Sequence, residues 1–414
     1  MITLSWISAA ALLGPMLGDA VLEDALLRAR EPEQSAAAIA AIAGNPGALP
    51  WAFDALAEDE IEGFGALAPV DRETLRAVIG IVEHGRLVRF VEASTPGWDR
   101  RARTTALGLL GDLADADELD LLLGCGAESA VTAGSRRAFQ GALSTFFDRH
   151  PRSCSGLIVS WDRVPAELRT SALRAAGTVD HPAAMDVLTY VLASEPELES
   201  VALVEIGRLG SKRPLEDGPR ICDHVRPFLR RDESELVRAA SQTLGHLRDP
   251  HSVPRLIGLL ESDDGAIRRS AHWALEAITG VEKAPSARTW GEWFRREDAW
   301  FRSRGAEVVE ALDSGSRAAV VAAIHELVQH RLFREDLGVA LAEVVARDDG
   351  GVSALASKAI QQLGARTGLD ALVEALEHRD EAAREAALVA LRSITGEDLP
   401  PTSADWRRAL APRR

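Results

Sequence analysis

The sequence predicts an all-α protein, an α-α superhelix of stacked antiparallel helix pairs. Three observations carry this. Short amphipathic helices come in pairs, the pairs recur about every 30 residues, and each pair has more apolar surface than it can cover alone.

The clearest unit runs from Asp232 to Leu260. Leu236, Ala240, Thr243, Leu244 and Leu247 fall on one helical face, and after Asp249-Pro250 a second helix carries Val253, Leu256, Ile257 and Leu260. The next unit is visible at once, because Val237-Arg238 recurs as Ile267-Arg268, 30 residues later. Leu168-Arg169 and Leu198-Glu199 keep the same step, as do Ala176-Gly177 and Ile206-Gly207. Leu110-Gly111, Leu244-Gly245 and Leu363-Gly364 extend the pattern along the chain. A small residue at this point suits a close helix approach or a turn. Asp115, Asp180 and Asp249 follow three of these glycines, where a carboxylate can accept N–H bonds from the next helix.

These residues resemble HEAT repeats, in particular the short phycobilisome-lyase-type HEAT-like repeats found in bacteria. The arginine-dominated basic set, with only Lys212, Lys283 and Lys358 as lysines, fits a GC-rich bacterial coding bias. The resemblance implies a ladder in which an aspartate before the second helix meets an arginine just inside it. Asp232 with Arg238 fits well, and Asp263 with Arg268 has one residue fewer between them. Arg384 keeps the arginine after an alanine, whereas Glu199 replaces it, so the ladder is expected to break there. The resemblance covers most of residues 95–396.

A longer duplication sets the domain boundaries. Ala274-Leu275-Glu276-Ala277-Ile278-Thr279-Gly280 returns as Ala390-Leu391-Arg392-Ser393-Ile394-Thr395-Gly396, and each copy is followed by a tryptophan, Trp290 or Trp406. Thr289 with Glu292, and Thr402 with Asp405, read as capping boxes. The expected layout is an N-terminal array over 21–280, a Trp/Arg-rich connector over 281–305, and a C-terminal array with a closing tryptophan helix over 306–414. Residues 1–20 read either as a secretory signal cleaved after Ala20 or as the first helix of the array. The location is therefore cytoplasmic on one reading and exported on the other.

A formal net charge of −16 disfavours a general phosphate-tracking surface, so nucleic acid is not the expected partner. No apolar run is long enough for a membrane span. Cys125, Cys154 and Cys222 form no CxxC pair, and the ten histidines are scattered, so no metal site or cofactor is expected. The acidic run Asp112, Asp115, Asp117, Glu118 and Asp120 lacks the glycine and terminal glutamate of a calcium loop and reads as a solvated turn. No P-loop, GxSxG, HExxH or GxGxxG motif occurs.

The expected function is thus a non-catalytic scaffold that binds a protein or peptide on an extended face. An enzyme or enzyme subunit of the bilin lyase kind, which the resemblance also allows, and a nucleic-acid binder with a local basic face are the alternatives. The residues expected near a contact surface are Arg238, Arg268, Arg269, Trp290, Trp293, Arg295, Arg296 and Trp300. The same arginines also serve as ladder residues, and the same tryptophans as caps of a helix stack. The extra residues around Ser211-Lys212-Arg213-Pro214 read as a loop inserted into the repeat.

Overall fold

The computed structural model describes residues 19–411, except 46, 62–64, 83, 128–131, 213, 216 and 315. Residues 1–18, which hold most of the ambiguous N-terminal segment, lie outside the described residues, as does Arg213 of the inserted loop. The chain divides into two compact units between Val187 and Leu188.

The first unit holds α1 (Asp19–Ala29), α2 (Ser35–Ala43), α3 (Ala48–Glu58), α4 (Pro69–Ile81), α5 (His84–Ser94), α6 (Arg100–Leu113), α7 (Leu119–Ala127), α8 (Ala133–Arg149), α9 (Gly156–Ser160) and α10 (Ala166–Thr178). A two-residue antiparallel ladder pairs Glu60 with Ala66 and Ile61 with Gly65. Helix α11 (Pro182–Ser194) follows. The second unit continues with α12 (Glu199–Lys212), α13 (Gly218–Val225), α14 (Ser234–Leu247), α15 (Val253–Leu259), α16 (Gly265–Thr279), α17 (Ala287–Trp300) and α18 (Ala306–Glu310). It ends with α19 (Arg317–Leu327), α20 (Arg334–Val345), α21 (Gly350–Leu363), α22 (Leu369–Ala375), α23 (Glu381–Thr395) and α24 (Ser403–Leu410).

Each unit is a stack of antiparallel helix pairs, as the sequence predicts. The longer helices pack side by side: α6 on α8 and α8 on α10, then α12 on α14, α14 on α16, and α21 on α23. Glycine sets two of these distances. A Cβ on Gly111 would lie 2.8 Å from the Ala142 carbonyl oxygen, and one on Gly245 would lie 3.0 Å from the Ala274 Cα. Gly364 does the other job open to it: it ends α21 with φ +63°, as Gly280 ends α16 at +66° and Gly396 ends α23 at +76°.

The duplicated heptapeptide folds alike in both copies. Thr279 and Thr395 each donate a hydroxyl to the carbonyl four residues back, Leu275 or Leu391, before the left-handed glycine. The closing tryptophans Trp290 and Trp406 are fully buried. The capping boxes differ from expectation at one end. Thr402 caps α24 as predicted, but α17 starts earlier, with Ser286 accepting from the Thr289 N–H. The segment 281–305 is thus mostly helix, since Ser286 offers an N-cap before the proposed box is reached.

In the second unit, the C-terminal ends of four helices meet three arginines. Arg366 donates to the carbonyls of Gly210 (2.9 Å) and Ser211 (3.1 Å) at the end of α12, and to His246 (2.9 Å) at the end of α14. Arg334 donates to Ala277 at the end of α16 and to Leu363 at the end of α21. Arg248 donates to the Gly364 carbonyl at 2.6 Å and pairs with Glu335. Glu335 also accepts the backbone N–H groups of Arg366 and Thr367. Terminal carbonyls lack helical partners and carry partial negative charge, so a guanidinium is well matched to them.

Two tests follow. Gly111→Ala is expected to destabilise the first unit by about 1–3 kcal/mol through overpacking. Gly108→Ala lies in the same helix with nothing within 4 Å of its Cβ position, and is expected to stabilise by about 0.5–1 kcal/mol. Urea unfolding of both variants reads the contrast. The second test concerns Asp71, fully buried, which accepts from Arg30 at 2.8 and 2.7 Å and from the Ala68 N–H. The Arg30 hydrogen bonds, aided by the Ala68 N–H and by arginine charge, hold its carboxyl below the ordinary 3.8 despite burial. This stabilisation is present above that ordinary value and is lost as pH falls through the lower folded value. Asp71→Asn is expected to lose about 2–3 kcal/mol at neutral pH. Its unfolding midpoint is expected to fall less steeply in acid than that of the wild type.

Candidate partner-binding site

The arginines of the repeat pattern perform two separate tasks. The first is to close the turn before their own helix. Arg268 donates to the carbonyls of Ser262 (2.7 Å) and Asp263 (2.9 Å), and Arg384 donates to His378 (2.7 Å) and Arg379 (2.9 Å) at the same offsets. Arg103 and Arg169 reach the carbonyls five residues back, Trp98 and Val164. The second task is the ladder. Asp264, one residue beyond the expected Asp263, caps α16 through the Ala266 N–H and accepts the Ser234 hydroxyl of the preceding unit. The Ser234 and backbone bonds, with the charge of Arg238, hold its carboxyl low. Arg317 pairs with Asp349, the cap of α21, at 3.1 Å.

Two expectations about this ladder are corrected. Asp263 offers only its backbone carbonyl among these contacts, because Asp264 stands at the residue where an N-cap must sit. The link is also not lost at Glu199. Glu199 accepts from Arg231 of the next unit at 3.1 Å, so the charges are reversed and the connection stays. Asp249, expected to accept from the helix after it, instead gives both carboxylate oxygens to Arg226, at 2.8 and 2.7 Å.

Helices α12, α14 and α16 turn one stripe each into the core and leave the opposite stripe outside. The Thr243 hydroxyl donates to the Leu203 carbonyl at 2.6 Å and fixes α14 on α12. His246 of α14 and Trp273 of α16 meet edge to face at 4.8 Å and join the outer stripes of those two helices. The resulting strip holds Val204 (52% exposed), Arg238, Gln242, Arg269 and Trp273 (40% exposed). Arg269 and Trp273 are four residues apart and share one helix face. An exposed indole and guanidinium groups together suit aromatic, apolar or acidic partner groups.

The expected contact residues separate on this geometry. Arg238, Arg268 and Arg269 are exposed on α14 and α16, and Arg295 and Arg296 are exposed on α17. Trp290 and Trp293 are buried and meet edge to face at 5.6 Å. Trp300 is half-buried: its indole stacks on His330 at 3.6 Å and donates to Glu326 at 3.0 Å. Trp273 is absent from the predicted set, yet a signal existed. The core stripe of α16 is Ile267, Ser270, Ala271, Ala274 and Ile278, and position 273 falls outside it.

The acidic turn also gains a neighbour that spacing alone did not reveal. His84 Nε2 lies 2.8 Å from both Glu118 carboxylate oxygens and 3.4 Å from Asp115. Glu118 in turn accepts the Asp115 N–H at 2.8 Å. These contacts make a hydrogen-bonded link between two turns 34 residues apart.

The separation of tryptophans is measurable. Trp290→Ala is expected to cost about 3–5 kcal/mol, because it empties a buried site. Trp273→Ala is expected to cost about 1 kcal/mol or less. Chemical denaturation followed by far-UV circular dichroism tests the pair.

No curated protein matches the chain. Among solved structures, an engineered protein is 16% identical, with 90% of this chain and 94% of that one covered and a TM-score of 0.33. Kap121p is 14% identical, with 84% and 41% covered and a TM-score of 0.34. Kap95p, whose binding induces a change in the switch loops of RanGDP, is 13% identical, with 84% and 50% covered and a TM-score of 0.33. The chain spans half or less of these two karyopherin chains. The family model for HEAT repeats matches residues 222–299, which contain α14, α15 and α16. Residues 222–299 of this chain are HEAT repeats.

Proposed function

We propose that the chain is a non-catalytic protein-binding scaffold that receives a protein or peptide on the outer strip of α12, α14 and α16. The observation that carries this reading is Trp273. A large indole stands 40% exposed beside His246 and on the same helix face as Arg269, inside the HEAT repeats. Surface indoles with arginine neighbours are the groups that most often anchor a partner. The strip is built on helices locked by interhelical hydrogen bonds, so little ordering entropy is lost on binding. Arg238, Arg268 and Arg269 supply positive charge on a chain of net charge −16, which selects an acidic partner segment. Arg295, Arg296 and the half-buried Trp300 lie on α17, which packs on α15, and form a second, separate candidate contact, while Trp290 and Trp293 hold that helix in place from beneath.

The test is affinity capture with quantitative mass spectrometry from the native cell, using three baits. These are the wild type, an Arg269→Ala/Trp273→Ala variant and an Arg295→Ala/Arg296→Ala variant. The first variant is expected to lose specific partners that the wild type retains, with an unchanged circular dichroism spectrum. The second is expected to lose a different subset. Identical partner lists for all three baits would discard the strip as the contact surface.

A further inference from the structure

His84 begins α5, and Asp115 and Glu118 belong to the turn before α7, all within the first unit. His84 Nε2 stands 2.8 Å from both Glu118 carboxylate oxygens and 3.4 Å from an Asp115 carboxylate oxygen. One ligand atom from each of the three residues lies within 4.8 Å of the other two. We propose that these three side chains bind a divalent transition-metal ion of the zinc type, which clips the two turns together.

The donors on hand do not match the acceptors. An imidazole nitrogen carries at most one hydrogen, yet three carboxylate oxygens face Nε2. The Asp115 N–H donates to Glu118 at 2.8 Å and serves one of those oxygens only. Two carboxylates also bring two negative charges, and no arginine or lysine among the described residues pairs with either. Asp71, Asp249 and Asp349 each face a guanidinium instead, and so does Asp120 in the same acidic run, through Arg163 at 2.7 Å. Arg149 reaches this turn, but it donates to the carbonyls of Gly111 and Ala114. A dication among the three side chains supplies the missing charge and uses the lone pairs that one proton cannot.

The spacing agrees. Donor atoms held about 2.0–2.2 Å from one ion lie about 2.8–3.6 Å apart in octahedral or tetrahedral arrangements. The separations of 2.8 and 3.4 Å fall in that range. Carboxylates alone suit magnesium or calcium, whereas an imidazole among them turns the preference to zinc and its neighbours. Glu118 is mostly covered, while the side chains of His84 and Asp115 are 37% and 64% exposed. An ion can therefore enter from solvent and complete its coordination with water. The acidic run by itself lacks a nitrogen ligand, which arrives from 34 residues before Glu118.

Full-length protein is stripped with EDTA, dialysed, and titrated by calorimetry with zinc chloride, calcium chloride and magnesium chloride in a buffer that does not chelate. Saturable zinc binding is expected, with a raised unfolding midpoint, because an ion that binds the folded state alone stabilises it. Calcium and magnesium are expected to bind more weakly. His84→Gln keeps an N–H donor for Glu118 and removes the imidazole, and Asp115→Asn keeps the shape of the side chain and removes its charge. Each is expected to weaken zinc binding by roughly tenfold or more and to lose the rise in midpoint, with an unchanged circular dichroism spectrum. The wild-type titration needs no variant: absence of saturable zinc binding overturns the proposal, as does tighter binding of calcium or magnesium than of zinc. Undiminished zinc binding by either folded variant overturns it as well.

Discussion

The contact between buried guanidinium groups and the open carbonyls of helix ends holds the second unit together. A helix leaves its last four carbonyls without internal partners, and a stack of parallel helices collects those groups on one side. Here α12, α14, α16 and α21 all end near Arg248, Arg334 and Arg366. Each guanidinium has a planar fork of donors, so one side chain serves two or three helix ends at once. A lysine in the same place is a point charge on a flexible stem. The near absence of lysine from this chain is therefore compatible with its architecture as well as with a coding bias.

The helix pairs and their period were legible because they obey local rules. Apolar residues at helical spacing, a glycine near the end of several of the longer helices and an acidic residue at the next turn recur about every 30 residues or a multiple of that. Those rules act within about 30 residues, and the structure keeps them. The closing tryptophans were legible for the same reason, since Trp290 and Trp406 follow the same heptapeptide and are equally buried.

The contacts that span longer distances were not legible. Arg366 bonds to Gly210, 156 residues away, and Arg248 bonds to Gly364, 116 residues away. No periodicity links such positions, because they depend on how many units stand between them. Arg268 and Arg384 share a pattern that the sequence also displays, but its use was hidden. The resemblance implied a ladder partner, whereas both side chains turn back to their own loop. Trp273 lay between these cases. Its place off the core stripe of α16 is visible in the sequence, while its contact with His246 needs the lateral packing of α14.

The reversed pair Glu199–Arg231 has a consequence for how the units are ordered. At Asp264 and Asp349 the acid belongs to the later unit, but at Glu199 it belongs to the earlier one. A segment that skipped one place along the stack would separate Glu199 from Arg231 at this joint. Repetitive chains face that hazard while folding, since their units are similar enough to mispair. The orientation of this pair gives the joint a direction and favours its correct neighbour, much as an asymmetric connector fits only one socket.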